Sequence, residues 1–129
     1  MIREPLPDDV RRFILVSVPS IPFLEAMLLL REDENRVWDS KLVAQRLYMS
    51  EKAVQDLLAE LHEAGILHAQ EQGVSGYSYR PGSAELRNMI DRLADIYAKN
   101  LVDVTNLVHS TIGKKAQHFA DAFKWRKDS

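Results

Sequence analysis

His62, His68, His109 and His118 are the side chains whose chemistry would matter most if their spacing matched a site. A zinc pair on a helix needs two imidazoles four residues apart with a carboxylate close by, and no two of these histidines stand so. No metal site and no cofactor is expected. The chain has no cysteine, which excludes disulfides, thiolate metal sites and thiol nucleophiles. "GVSGY", residues 73–77, has a serine between glycines but no glycine two places after it, so it is not a nucleophile elbow. A glycine-rich phosphate loop with its lysine is absent as well, and no serine, histidine and acid trio stands out. An enzyme is not expected.

What remains is charge. Between Asp39 and Gly82 the bases Lys41, Arg46, Lys52 and Arg80 are outnumbered by Asp39, Glu51, Asp56, Glu60, Glu63 and Glu71. The whole chain of 129 residues carries a formal net charge of −2, which argues against a surface that traps nucleic acid indiscriminately. With 46% apolar and 28% charged residues it has the composition of an ordinary folded protein, of a length that suits one compact unit with an appendage.

The elements that must position these charges follow from periodicity and punctuation. Asp8 and Asp9 suit a helix start, and Val10, Phe13, Ile14 and Val18 recur at helical spacing until Pro19. Ser20 then caps a second helix with Pro22 in its first turn and an apolar face of Phe23, Leu24, Met27, Leu28 and Leu30. "REDEN", residues 31–35, is a loop, and Arg36 to Trp38 fits a short edge strand. Asp39 or Ser40 caps a helix with Leu42, Val43, Ala44 and Leu47. "YMS" is the turn that follows, and Ser50 caps a helix with the stripe Val54, Leu57, Leu58 and Leu61. Gly65 stops it. From Ile66 the period shortens, and a turn at Gly73 to Gly76 followed by Tyr77 and Tyr79 alternating with Ser78 and Arg80 predicts a β-hairpin closed by Pro81 and Gly82.

Ser83 caps the last predicted helix, in which Leu86, Met89, Ile90, Leu93, Ile96, Tyr97, Leu101, Val104 and Val108 recur in steps of three and four. No proline or glycine interrupts residues 83–111. A continuous helix of about 25 residues would be about 37 Å long, more than a small domain covers with its own core. Its apolar face is therefore expected to pair with a second copy through Leu86, Ile90, Leu93, Tyr97, Leu101, Val104 and Val108. The expected division is 1–82 for the domain with its N-terminal helical extension and 83–129 for the dimerisation helix and a basic tail.

The order of elements, and above all Ala44, Val54, Leu57 and the run Leu58, Leu61, Ala64, Gly65, Ile66, Leu67, resembles a winged helix-turn-helix domain. In layout the chain is similar, over roughly Phe23 to Val108, to small bacterial transcriptional regulators of the MarR and PadR type. The resemblance implies a mostly α (α+β) winged helix-turn-helix fold with a small hairpin wing and a long C-terminal dimerisation helix. It also implies a homodimer that binds double-stranded DNA. Ser50 to Ala64 would be the recognition helix, with Ser50, Lys52, Ala53, Gln55 and Asp56 nearest the bases, and Gln72 to Tyr77 would be the wing. Lys41, Arg46 and Arg80 would meet phosphates.

A second expectation stays open beside it, because the recognition helix is acidic and the wing tip holds no lysine or arginine. It is a winged-helix module that has lost groove contact and binds a protein partner. The basic segment from Lys114 to Lys127, with Phe119, Phe123 and Trp125, fits a phosphate arm, a membrane-surface helix or a dimer or core-docking flank, and the last is the plainest. An effector pocket beside the long helix is not marked by any residue pattern. "FILVSVPSIPFLEAMLLL", residues 13–30, is broken by Pro19, Pro22 and Glu25, so no membrane span is expected, and the cytoplasm is the expected location.

Overall fold

The computed structural model describes residues 6–71 and 76–110. Residues 72–75 of the expected wing, Gln72 to Tyr77, and the basic segment 114–127 lie outside the described residues. The order is α1 (Asp8–Ser17), α2 (Ile21–Arg31), α3 (Ser40–Leu47), α4 (Glu51–Glu63), β1 (Leu67–Ala69), β2 (Tyr77–Tyr79) and α5 (Ala84–Lys99), followed by a helical segment, 101–110.

Helix starts follow the capping residues. Ser20 Oγ accepts from the Phe23 N–H at 3.2 Å, Asp39 Oδ1 from Leu42 at 2.7 Å, Ser50 Oγ from Ala53 at 3.1 Å and Ser83 Oγ from Leu86 at 3.1 Å. Each side chain satisfies one of the N–H groups a helix start leaves without a partner. α4 ends where Gly65 takes a φ of 80°. β1 and β2 form an antiparallel pair with Leu67 opposite Tyr79, His68 opposite Ser78 and Ala69 opposite Tyr77. Trp38 adds a single bridge to this sheet, its N–H donating to the Tyr77 carbonyl at 2.7 Å and its carbonyl accepting from Tyr77 at 2.8 Å. The result is a winged-helix-like α+β arrangement, mostly helical, with α3 and α4 packed on each other and α4 also on α2 and β1.

α1 and α2 meet at 110°, and among the described residues no single helix is long and apolar enough to cross a membrane. α1 turns its stripe of Val10, Ile14 and Val18 into the same core as Leu24, Met27, Leu30, Val54, Leu58 and Leu61. That core runs across residue 82, because Ile90, Leu93, Tyr97, Val104 and Val108 belong to it.

The continuous helix from Ser83 to Val108 is corrected by the structure. Asn100 has φ −132° and ψ 50°, outside the helical region. Its N–H donates to the Ile96 carbonyl at 2.7 Å, its side-chain Nδ2 lies 3.3 Å from the same oxygen, and its own carbonyl accepts from Val104 at 3.1 Å. One asparagine thus ends α5 and starts the next helical segment, using the local backbone bonding that makes Asn a poor residue inside helices.

Most of the residues expected to face a second copy are buried within one chain. Ile90, Leu93, Tyr97, Val104 and Val108 are buried within the chain itself, and Leu86 is half-buried against the same core. Leu101 is 55% exposed. α1 packs against α5, and polar contacts tie α5 to the N-terminal half of the chain. Arg92 pairs with Asp9 of α1, Arg31 of α2 with Asp91 at 2.9 Å, Arg87 with Glu34, and Tyr97 Oη donates to Glu25 of α2 at 2.8 Å. Most of the greasy face assigned to a second copy is buried within this chain, where α1 packs against α5 and side chains of α2 bond to it, a relation that sequence spacing alone does not reveal.

Candidate nucleic-acid interface

The surface of interest is built by α3, the turn after it, α4 and the hairpin. The turn is made by Tyr48, whose φ of 56° is left-handed and whose side chain is 96% exposed. Ser40 Oγ donates to Glu51 Oε1 at 3.2 Å, which ties the first turns of α3 and α4 together and leaves Lys41 and Lys52 exposed on either side of that contact. Glu51, one of the acids that weighed against DNA, is thereby engaged within the motif, and as the first residue of α4 it complements the helix N-terminus.

Gln55 is exposed and lines a cleft of about 270 Å³ with Ser40, Leu58, Gly76 and Tyr77, so it faces the base of the wing. That base is close-packed. A Cβ at Gly76 would lie 2.7 Å from Val37 Cγ1 and 3.0 Å from the Trp38 carbonyl oxygen, so only glycine lets the hairpin approach the Val37–Trp38 backbone this closely. Ser50 spends its oxygen on capping. Arg46 reaches back from the last turn of α3 until its Cζ lies 6.0 Å from the centroid of the Trp38 ring. Arg80 is exposed at the end of β2, where its N–H donates to the Ile66 carbonyl at 2.9 Å.

The charges on this face differ from those on α2 and α5. Arg31, Arg87, Arg92 and Lys99 are each paired with a carboxylate. The Arg92 hydrogen bond holds the Asp9 carboxyl below its usual range, and the Asp9 and Glu34 hydrogen bonds raise the guanidinium pKa values of Arg92 and Arg87. Lys41, Arg46, Lys52 and Arg80 form no ion pair among the described residues, and neither do Arg11 and Arg12 on α1. Asp56, Glu60 and Glu63 are exposed at spacings of four and three, one acidic stripe running toward the C-terminal end of α4.

Arg36 is the residue that sequence spacing missed. Its Cζ lies 5.2 Å from the Trp38 ring centroid. The signal was present, since residues two apart in an extended segment share a side, but nothing marked Trp38 as the base of a charged patch. No group of three or more metal-ligating side chains occurs among the described residues. A separate open groove of about 800 Å³ lies between α1 and α5, lined by Asp8, Asp9, Arg12, Phe13, Val16, Ser17 and Met89.

No family model matches the sequence, and no curated protein matches it. A solved structure with partial likeness is a possible transcriptional regulator from Methanosarcina mazei Go1. It is 24% identical, with 78% of this chain and 90% of that chain covered and a TM-score of 0.48.

Proposed function

We propose that the protein is a transcriptional regulator of the bacterial winged-helix type that binds double-stranded DNA, with the N-terminal half of α4 in the major groove. The observation that carries this reading is the distribution of ion pairs: arginines on the α2 and α5 side are neutralised by carboxylates, whereas Lys41, Arg46, Lys52 and Arg80 are exposed and unpaired among the described residues. Unpaired cations at the start of α3, the last turn of α3 and the end of β2 are where a duplex seated on this motif would present its phosphates. Lys52 and Gln55 contact bases, Ser50 sets the start of the helix, and Lys41, Arg46 and Arg80 hold the backbone. Asp56 accepts from a cytosine amino group, and Glu60 and Glu63 sit beyond the groove.

As a homodimer, two copies would set their α4 helices one DNA turn apart, about 34 Å. Such pairing would use surface outside the buried face of α5, where Leu101 is 55% and Val102 59% exposed.

A fluorescence anisotropy titration of duplex DNA across salt concentrations tests the reading. Three or four phosphate contacts predict a log–log slope of about −2.7 to −3.6. Absence of binding at low salt overturns it. The stripe of Asp56, Glu60 and Glu63 supports a second reading, a winged-helix module for a basic protein partner, and steep salt-dependent DNA binding would exclude that module as the sole role.

A further inference from the structure

We infer that Arg36 and Arg46 together hold one backbone phosphate of the bound duplex, with Trp38 as the platform that fixes both guanidinium groups. The inference rests on the DNA reading above and adds a residue to it. Trp38 is 2% exposed, and its backbone is tied to Tyr77 by hydrogen bonds of 2.7 and 2.8 Å, so the indole does not move independently of the hairpin base. Arg36 reaches the ring from the segment before α3, at 5.2 Å, and Arg46 from the last turn of α3, at 6.0 Å. Each cation is attracted to the ring, yet two positive charges drawn to one ring repel each other.

One carboxylate offsets only one of the two charges. Asp33 forms an ion pair with Arg36 Nε at 3.7 Å, too long for a hydrogen bond, and Arg46 has no ion pair among the described residues. By contrast Arg31 meets Asp91 at 2.9 Å. A phosphodiester supplies what the pair lacks: one negative charge and two unesterified oxygens, one for each guanidinium. The cation–π contacts with a fixed ring restrain both groups before the duplex arrives, which lowers the ordering cost of the contact. Because it touches only backbone, the clamp sets the register of α4 in the groove without reading sequence.

The test uses the full chain. Trp38 and Trp125 are its two tryptophans, so a Trp125→Phe parent leaves Trp38 as the sole indole reporter. Duplex DNA is titrated into native, parent, Arg36→Ala, Arg46→Ala and doubly substituted chains at several salt concentrations, reading anisotropy of the labelled duplex and emission of Trp38. The parent is expected to change its emission on binding. Each single substitution should abolish that response and reduce the salt slope by about 0.9, and the double substitution should also reduce it by about 0.9, because one phosphate is lost in every case. Arg36→Lys and Arg46→Lys, which keep the charge, should restore the slope and part of the affinity. Arg36→Ala with unchanged slope and emission response overturns the inference, as does a double substitution whose slope falls by twice the single value. If the native chain itself binds no duplex at low salt, the DNA reading fails, a result distinct from either of these.

Discussion

Tyr48 carries the most visible backbone cost in the described residues. A left-handed conformation is unfavourable by about 1–2 kcal/mol for a residue with a Cβ, and a ring that is 96% exposed gains little packing to offset it. Tyr48→Gly is therefore expected to stabilise the fold by about 0.5–1 kcal/mol, the gain being reduced by the greater freedom of glycine in the unfolded chain. Thermal unfolding would show a midpoint raised by a few degrees, and a lowered midpoint would mean that the ring holds the turn. Two other tyrosines set an alkaline limit. Burial, then the nearby Asp91 charge, pushes Tyr79 up to about 12, and burial, then the hydrogen bond to Glu25, pushes Tyr97 up to about 12. Both folded values lie above the unfolded value near 10, so the stabilisation is whole below about pH 10 and is lost as the pH climbs to about 12. Ultraviolet titration of tyrosinate should show two late-ionising groups in the folded chain, and Tyr97→Phe should remove one of them. Ordinary ionisation of all tyrosines near pH 10 in a folded chain would contradict the burial of both.

At the scale of elements, the sharpest test concerns α5. Ile90 is wholly buried within its own chain, so Ile90→Ala should cost about 2–4 kcal/mol in denaturant unfolding, whereas Leu101→Ser, at an exposed position, should change stability by less than about 0.5 kcal/mol. Equal, small effects would mean that α5 is not part of the core. Much of the element plan was legible in residues. The caps Ser20, Asp39, Ser50 and Ser83 and the stop at Gly65 are local signals, and the structure uses each of them as local chemistry requires, whereas the edge strand expected from Arg36 to Trp38 is reduced to a single bridge at Trp38. The break at Asn100 was not legible, because the apolar repeat from Ile90 to Val108 continues across it and an asparagine inside a repeat only weakly announces a break. Nor was the cover over α5. The stripe of Val10, Ile14 and Val18 was readable as a buried face, but which element it meets is decided by the bend between α1 and α2, a relation between distant segments. On the interface, the exposed cations could be named from sequence, while Arg36 came to light only when Trp38 was seen to gather it with Arg46.

At the scale of the whole molecule, a core closed by α1, α2 and α5 within one chain changes what self-association is for. Dilution to a range where sedimentation shows only monomer should leave a cooperative thermal transition intact, because no second copy is needed to bury Ile90, Leu93, Val104 or Val108. Unfolding on dilution would show instead that folding and pairing are one process. The same closure leaves Lys41, Arg46, Lys52 and Arg80 uncompensated among the described residues on the α3, α4 and hairpin face, as Arg11 and Arg12 are on α1, and the function proposed depends on the first of these faces meeting a duplex. Amide chemical-shift mapping during titration with double-stranded DNA at low salt tests this most directly. The account predicts perturbations grouped at Lys41, Arg46, Ser50 to Gln55 and Arg80, fading as salt is raised, with α5 silent. A spectrum that does not change, or changes confined to α5 and the C-terminal end of α4, would contradict it.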